Sequence, residues 1–175
     1  MIWFEELQNR KKISRIFSRY EKTFPEEERR NREQFLALAE HPDAFVYLLH
    51  EEDENIGYAI IWELQNTFFL EHFEIFEDFR NAGLGGSTLE AMKEKFGKIV
   101  LETEPDTLSE IAKKRVDFYQ RNGFNMIKQN YLQPSYGEGK PAVHLFLMAN
   151  FQTENLESIV QEIYEVVYEH PSQKE

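Results

Sequence analysis

The chain has 175 residues, of which 41% are hydrophobic, enough for one domain whose core needs neither disulfides nor a structural metal. It contains no cysteine, which excludes a disulfide framework, a zinc–thiolate site and a cysteine nucleophile. The net charge of −12 argues against nucleic acid as a partner, because phosphate backbones are gripped through Lys and Arg.

The opening, MIWFEELQNRKK, lacks the basic-then-apolar order of a secretory leader. No apolar run approaches the roughly 20 residues that cross a bilayer, so a soluble, cytoplasmic chain with no membrane partner is expected. The acidic surface keeps such a chain in solution and can also draw in a cationic ligand.

Ile13, Ile16, Phe17 and Tyr20 recur at i, i+3, i+4 and i+7, which predicts an amphipathic helix near 10–22. A second helix is expected from about 25 to 40, ending before Pro42. Its start is the charge run Pro25–Glu33, read as solvated first turns behind a Thr23/Glu26 capping box. Three strands rich in aromatic and β-branched residues follow near 44–50, 56–64 and 67–76, the first two joined by the polar turn EEDEN. Gly83–Phe96 has helical spacing, and a short strand, Lys98–Thr103, stops at Pro105. The next helix is expected to begin at a Thr107/Glu110 capping box and to end at Asn122-Gly123. Strands near 124–131 and 142–149 flank the loop QPSYGEGK, and Leu156, Ile159, Val160, Ile163 and Val167 mark a last helix. The order β/α, α, β, β, β, α, β, α, β, β, α predicts an α/β domain around one mixed central sheet. Residues 1–150 are expected to form the domain and 151–175 a helix packed on it.

The most informative stretch is EDFRNAGLGGSTL, which follows a strand and opens a helix. Glycines there let backbone N–H groups approach a ligand, and a helix N-terminus favours a pyrophosphate. No Lys follows these glycines, so the loop is not a Walker A loop. Thr88 stands where the dinucleotide fingerprint needs its last glycine.

Arg80, Gly83 and Gly85 form R-x-x-G-x-G, which resembles the acetyl-CoA pyrophosphate motif of the GNAT superfamily of acetyltransferases. Phe118-Tyr119-Gln120-Arg121-Asn122-Gly123-Phe124 is similar to that superfamily's second signature, F-Y-x-x-x-G-F, and the two stand in the right order. FPEEERR, LEHFEIFEDFR, LETEP and the loop from Gln133 to Lys140 resemble a group of small bacterial members, so the likeness covers nearly the whole chain. Ala112 and Arg115 depart from the commoner Asn and Ala of the wider superfamily.

The resemblance implies a GNAT fold with helices on both faces of the sheet, in which strands Phe68–Phe76 and Lys98–Thr103 run together and then splay. It implies acetyl-CoA as acyl donor. The pantetheine would pair with backbone around Phe73 and Ile75, and the pyrophosphate would rest on Arg80, Asn81, Ala82, Gly83, Leu84, Gly85, Gly86 and Ser87. It also implies that Tyr119 lies near the CoA sulfur and protonates the leaving thiolate.

Attack by an amine needs a base, because an alkylammonium of pKa near 10.4 is mostly charged at neutral pH. Glu71 is the expected base: alternation puts it on one strand face with Phe69, Phe73 and Ile75, and burial would raise its pKa. His72 and Glu74 are expected to face the other way. Glu102 and Glu104 are expected to help bind a cationic acceptor, with Tyr136 in the acceptor wall. No His/carboxylate spacing suits a metal. Two other readings stay open: a catalytically silent acetyl-CoA-binding module, and a homodimer built on residues 153–170.

Overall fold

The structure, a computed structural model, describes residues 1–170. Asn9 opens the first helix, α1 (Arg10–Thr23), by accepting from the Lys12 N–H, and Ile13, Ile16, Phe17 and Tyr20 all face inward. The expected second helix is broken. A 3₁₀ turn at Glu26–Glu28 gives way to extended backbone at Arg29, and α2 (Arg32–Ala37) starts only after a capping box between Asn31 and Gln34. Thr23 instead closes α1, so the Thr23/Glu26 pattern caps nothing. The break has a physical cause: the Arg30 N–H donates to the buried Tyr20 hydroxyl at 2.7 Å, and its guanidinium turns into the core.

The described residues form seven strands, the first of them ahead of α1: β1 (Ile2–Glu6), β2 (Ala44–Glu51), β3 (Glu54–Glu63), β4 (Phe68–Ile75), β5 (Ile99–Thr103), β6 (Asn125–Gln133) and β7 (Val143–Ala149). They form one sheet in the order β1-β2-β3-β4-β5-β7-β6, with every neighbouring pair antiparallel except β4 and β5. Alternation along β3 sends Tyr58, Ile60 and Trp62 to one face, and Ala59 and Ile61 to the other. The first face is covered by α1, α2 and α5 (Leu156–Glu162), through Phe17, Tyr20, Phe35, Ile159 and Val160. The second is covered by α3 (Leu84–Phe96) and α4 (Glu110–Arg121), through Leu89, Met92, Val116 and Tyr119. Each such side chain contributes about 1.5–3 kcal/mol on burial.

Helix α4 is capped by Ser109, which accepts from Ala112 N–H, and not by Thr107; residues 105–108 form a separate turn closed by Leu108 N–H on the Pro105 carbonyl. Past Glu162, α5 runs into a π-helical turn, Ile163–Val167. Its apolar face, Ile159, Val160, Ile163, Val167 and Tyr168, is buried in the chain's own core.

Two irregularities in β4 shape the centre of the molecule. Ile60 pairs with His72 and Ile61 with Leu70, so Glu71 is the extra residue of a β-bulge. Strict alternation therefore fails there. Phe69 belongs to the first face, Leu70, Phe73 and Ile75 to the second, and Glu71 and His72 both turn to the first. Directly beside the bulge, parallel pairing of β4 with β5 stops at Leu70↔Leu101. A bulge bends its strand and increases its twist. Beyond it the two strands part.

Candidate active site

The gap between β4 and β5 opens into a cleft of about 760 Å³. Phe73, Ile75, Arg80, Asn81, Gly83, Gly85 and Gly86 line one end. Gly83, at φ 77°, is the N-cap of α3 and supplies no side-chain acceptor, so the first-turn N–H groups of Leu84, Gly85 and Gly86 have no cap. A Cβ on Gly83 would meet nothing within 4 Å, whereas one on Gly85 would come within 3.1 Å of the Phe118 ring and one on Gly86 within 3.1 Å of Asn122 Oδ1. The latter two glycines thus admit α4 against the turn, and the turn faces the cleft unblocked. An uncapped helix start with its positive dipole end suits a diphosphate.

Not every expected contact survives. Ser87 N–H is already spent on the Gly83 carbonyl at 3.1 Å, and Ala82, Leu84 and Ser87 do not line the cleft. Phe76 N–H bonds Ile56 on β3, so the Ile75 carbonyl, at the opposite end of that peptide, points into the gap. Arg80 Nε donates to it at 2.8 Å. Arg80 therefore stands between the strand edge and the phosphate turn and can serve either.

Tyr119, from α4, lines the same cleft. Only 7% exposed, it makes no hydrogen bond through its hydroxyl to the described residues. Burial raises its pKa, against a smaller opposing effect from Arg115, so the phenol keeps its proton at neutral pH.

At the other end the carboxylates separate into two kinds. Glu71 is held on every side: Arg30 Nε and Nη2 donate at 2.9–3.3 Å, Trp62 Nε1 at 2.7 Å and the Tyr136 hydroxyl at 3.0 Å. Burial pushes its carboxyl up, but the Arg30 charge and these donors prevail and hold it below the ordinary carboxylate range. The expected rise is thus reversed, and Glu71 is a saturated counter-ion. His72, edge-on to the Tyr20 ring and tilted against Phe24, is driven down to about 4 by burial and is neutral at pH 7.

Glu102 is the opposite case. It accepts from the hydroxyls of Tyr131 and Tyr168 and from Gln133 Nε2 at 2.9 Å, yet burial carries its carboxyl up to about 7. Glu28, raised by burial and by Glu104, also reaches about 7. Glu104 lies beside them, with Arg115 Nη1 at 3.4 Å. Tyr136 sits behind this wall, bonded to Glu71 and 3.5 Å from the Tyr168 hydroxyl. Among the described residues no cluster of His, Asp and Glu could hold a metal.

The family model for the acetyltransferase (GNAT) domain matches residues 42–126, the stretch that carries the bulge, the splayed strands and both signatures. This stretch is a GNAT acetyltransferase domain, and the chain has the GNAT fold. A GNAT-family protein from Bacteroides thetaiotaomicron, classed as an acetyltransferase, superposes with a TM-score of 0.85 at 29% identity, over 95% of this chain and 98% of that one. YjbC of Bacillus subtilis (strain 168), also classed as an acetyltransferase, is 27% identical over 99% of this chain and 85% of its own length. Arabidopsis thaliana NAA60, solved in complex with acetyl-CoA, shares the fold at 14% identity, with a TM-score of 0.59 over 85% of this chain and 97% of its own.

Within this GNAT cleft the structure brings together the glycine turn, Tyr119, Glu71, Glu102 and Glu104, and sets Tyr136 just behind. Sequence reasoning missed Arg30, Glu28, Gln133 and Tyr168. Arg30 and Glu28 sit inside FPEEERR, a run whose charge reads as solvated. Tyr168 follows the apolar pattern Ile159, Ile163, Val167 by one residue, and only the π-turn brings its hydroxyl to Glu102. A tyrosine in the last apolar turn was the available signal.

Proposed function

We propose that this chain is an N-acetyltransferase, carrying acetyl from acetyl-CoA to a primary amine by direct attack. One observation carries the reading: β4 and β5 unpair immediately after Leu70↔Leu101, opening a strand edge that leads to an uncapped, unobstructed helix start at Gly83. That is the shape a pantetheine arm ending in a diphosphate needs, with backbone to pair the arm and free N–H groups to receive the phosphates. NAA60, which shares the fold, was solved with acetyl-CoA bound. A cysteine-free chain using this donor fits the cytoplasm.

The residues then divide the work by position. Gly85 and Gly86 N–H groups and Arg80 hold the diphosphate, and Phe73 and Ile75 guide the arm. Tyr119, protonated and unengaged, donates to the departing thiolate. The carboxylates at the far end, Glu102, Glu104 and Glu28, receive a cationic acceptor. Glu71 fixes Arg30, Trp62 and Tyr136, giving that end a rigid wall.

Calorimetric titration with acetyl-CoA, followed by CoA-thiol release over a panel of primary amines, tests the proposal. Tyr119→Phe should lower turnover about 100-fold, within the usual range for a positioned acid, and leave acetyl-CoA affinity unchanged. A wild-type chain that fails to bind acetyl-CoA would refute it.

A further inference from the structure

Around Glu102 the hydrogen bonds do not balance. The carboxylate accepts from Tyr131, from Tyr168 at 2.7 and 2.9 Å, and from Gln133 Nε2 at 2.9 Å, which leaves about one of its roughly four acceptor positions open. The orientation of the Gln133 amide is fixed by this contact, since a carboxylate can only accept. Its other end, Oε1, is left without a partner although Gln133 is 2% exposed. Thr103 Oγ1, from a residue 4% exposed, is likewise unpartnered, and all three side chains line the cleft. A buried acceptor without a donor costs about 1–3 kcal/mol. The place lacks a group that carries positive charge and several N–H donors at once. A protonated primary amine has three.

We propose that Glu102 and Gln133 form the docking point for the acceptor's ammonium group, and that Glu102 then takes its proton. The second half deepens the acetyltransfer reading and rests on it; the first half stands alone. On docking, one ammonium N–H points at the open position on Glu102 and a second at Gln133 Oε1. In the proton step the nitrogen–hydrogen bond aimed at Glu102 breaks, the nitrogen keeps the electron pair and becomes a neutral nucleophile, and an O–H bond forms on the carboxylate. Solvent in the open cleft removes that proton afterwards.

The charged and titratable groups facing Glu102 set its readiness for this step. Burial first, and then the charge of Glu71 from β4, raise its proton affinity; Glu28, from the turn after α1, is itself raised by burial, by Glu104 just past β5 and by Glu102, while Arg115 from α4 pairs with Glu104. Tyr131, Tyr168 and Gln133 oppose the rise by bonding the carboxylate. The balance leaves a carboxyl that titrates at about 7, where a base can both accept and release a proton. Glu71, saturated by Arg30, has no such freedom.

The test uses n-butylammonium chloride, with tetramethylammonium chloride as a cation lacking N–H donors. Each is titrated calorimetrically at pH 6.5 in two buffers of different ionisation enthalpy. Butylammonium should bind at least 10-fold more tightly than tetramethylammonium and should expel part of a proton, because docking a cation favours the ionised carboxylate. Glu102→Gln should abolish the proton release and weaken binding at least 10-fold. Gln133→Leu should weaken binding about 5-fold with proton release retained, which separates loss of one acceptor from loss of the fold. Absent binding, equal affinity for both cations, or a response unchanged in Glu102→Gln would overturn the docking point. For the proton step, the acid limb of kcat/KM near pH 7 should vanish in Glu102→Gln, and a limb that persists would overturn it. A wild-type chain without acetyl-CoA binding refutes the transferase reading and the proton step, while the titration still decides the docking point.

Discussion

Replacing Arg30 with leucine should be the most damaging single change outside the cleft surface. The guanidinium makes three contacts to Glu71 at 2.9–3.3 Å and one to the Val167 carbonyl at 3.1 Å, with 10% of the arginine side chain and none of the glutamate side chain exposed. Arg30→Leu leaves Glu71 charged and buried with the neutral donors Trp62 and Tyr136 and with His72 Nε2 at 3.4 Å, and removes the donor at Val167. Breaking such a pair from one side costs about 3–5 kcal/mol, because the remaining charge has lost its compensation. The pH dependence has a definite sign. Without Arg30, burial raises the folded-state pKa of Glu71 above its unfolded value, so the penalty is largest above that raised pKa and shrinks as pH falls and the carboxyl protonates. Urea unfolding of wild type and variant at pH 8 and pH 5.5 measures the difference at each pH. Arg30→Leu combined with Glu71→Leu should recover most of the loss, since an apolar pair of similar volume is close to neutral. A loss below about 1 kcal/mol at pH 8, or a penalty that grows on acidification, would refute the account.

The same physics gives three further expectations. The Glu102 carboxyl rises from 4.5 unfolded to about 7 folded, so ionising it opposes folding; Glu102→Gln should gain on wild type from pH 4.5 upward, levelling off above pH 7 at no more than about 3 kcal/mol, as followed by urea melts. Gly57→Ala would place a Cβ 2.1 Å from the Glu74 backbone carbonyl, which cannot swing aside, so β3 and β4 must separate; a loss of about 3 kcal/mol in thermal unfolding is expected. Asn31→Ala removes the Oδ1 that accepts from Gln34 N–H at the start of α2 and should cost about 1 kcal/mol, while Thr23→Ala, at the position where sequence suggested a cap, should cost far less in the same assay.

What sequence disclosed and what it hid follow one division. Periodic signals are summed over many residues, and they placed α1 and the strands β2 to β7 correctly, because no single contact can overrule such a pattern; β1, five residues long at the sheet edge, was too short to give one. The failures occur where one tertiary contact outweighs local preference. The capping box at Thr23 loses to a backbone pulled inward by Arg30, and the one at Thr107 loses to Ser109. The bulge at Glu71 inserts one residue into a strand whose composition shows nothing unusual, and it turned a correct choice of strand into a wrong choice of face. Carboxylates in LETEP and LEHFE look alike in sequence; their pKa values part because one meets a buried guanidinium and the other only tyrosines and an amide.

The contact between Arg30 and the Val167 carbonyl spans 137 positions, and Tyr168 bonds Glu102 from the same late turn. Loop-closure entropy makes pairings this remote among the last to become favourable during folding. The glycine turn at the start of α3 is built from neighbours and can order early. The wall around Glu102 waits for nearly the whole polypeptide, so a ligand that stiffens it also ties the segments at Arg30 and Tyr168 together, and amide exchange at α5 should slow when that end of the cleft is filled.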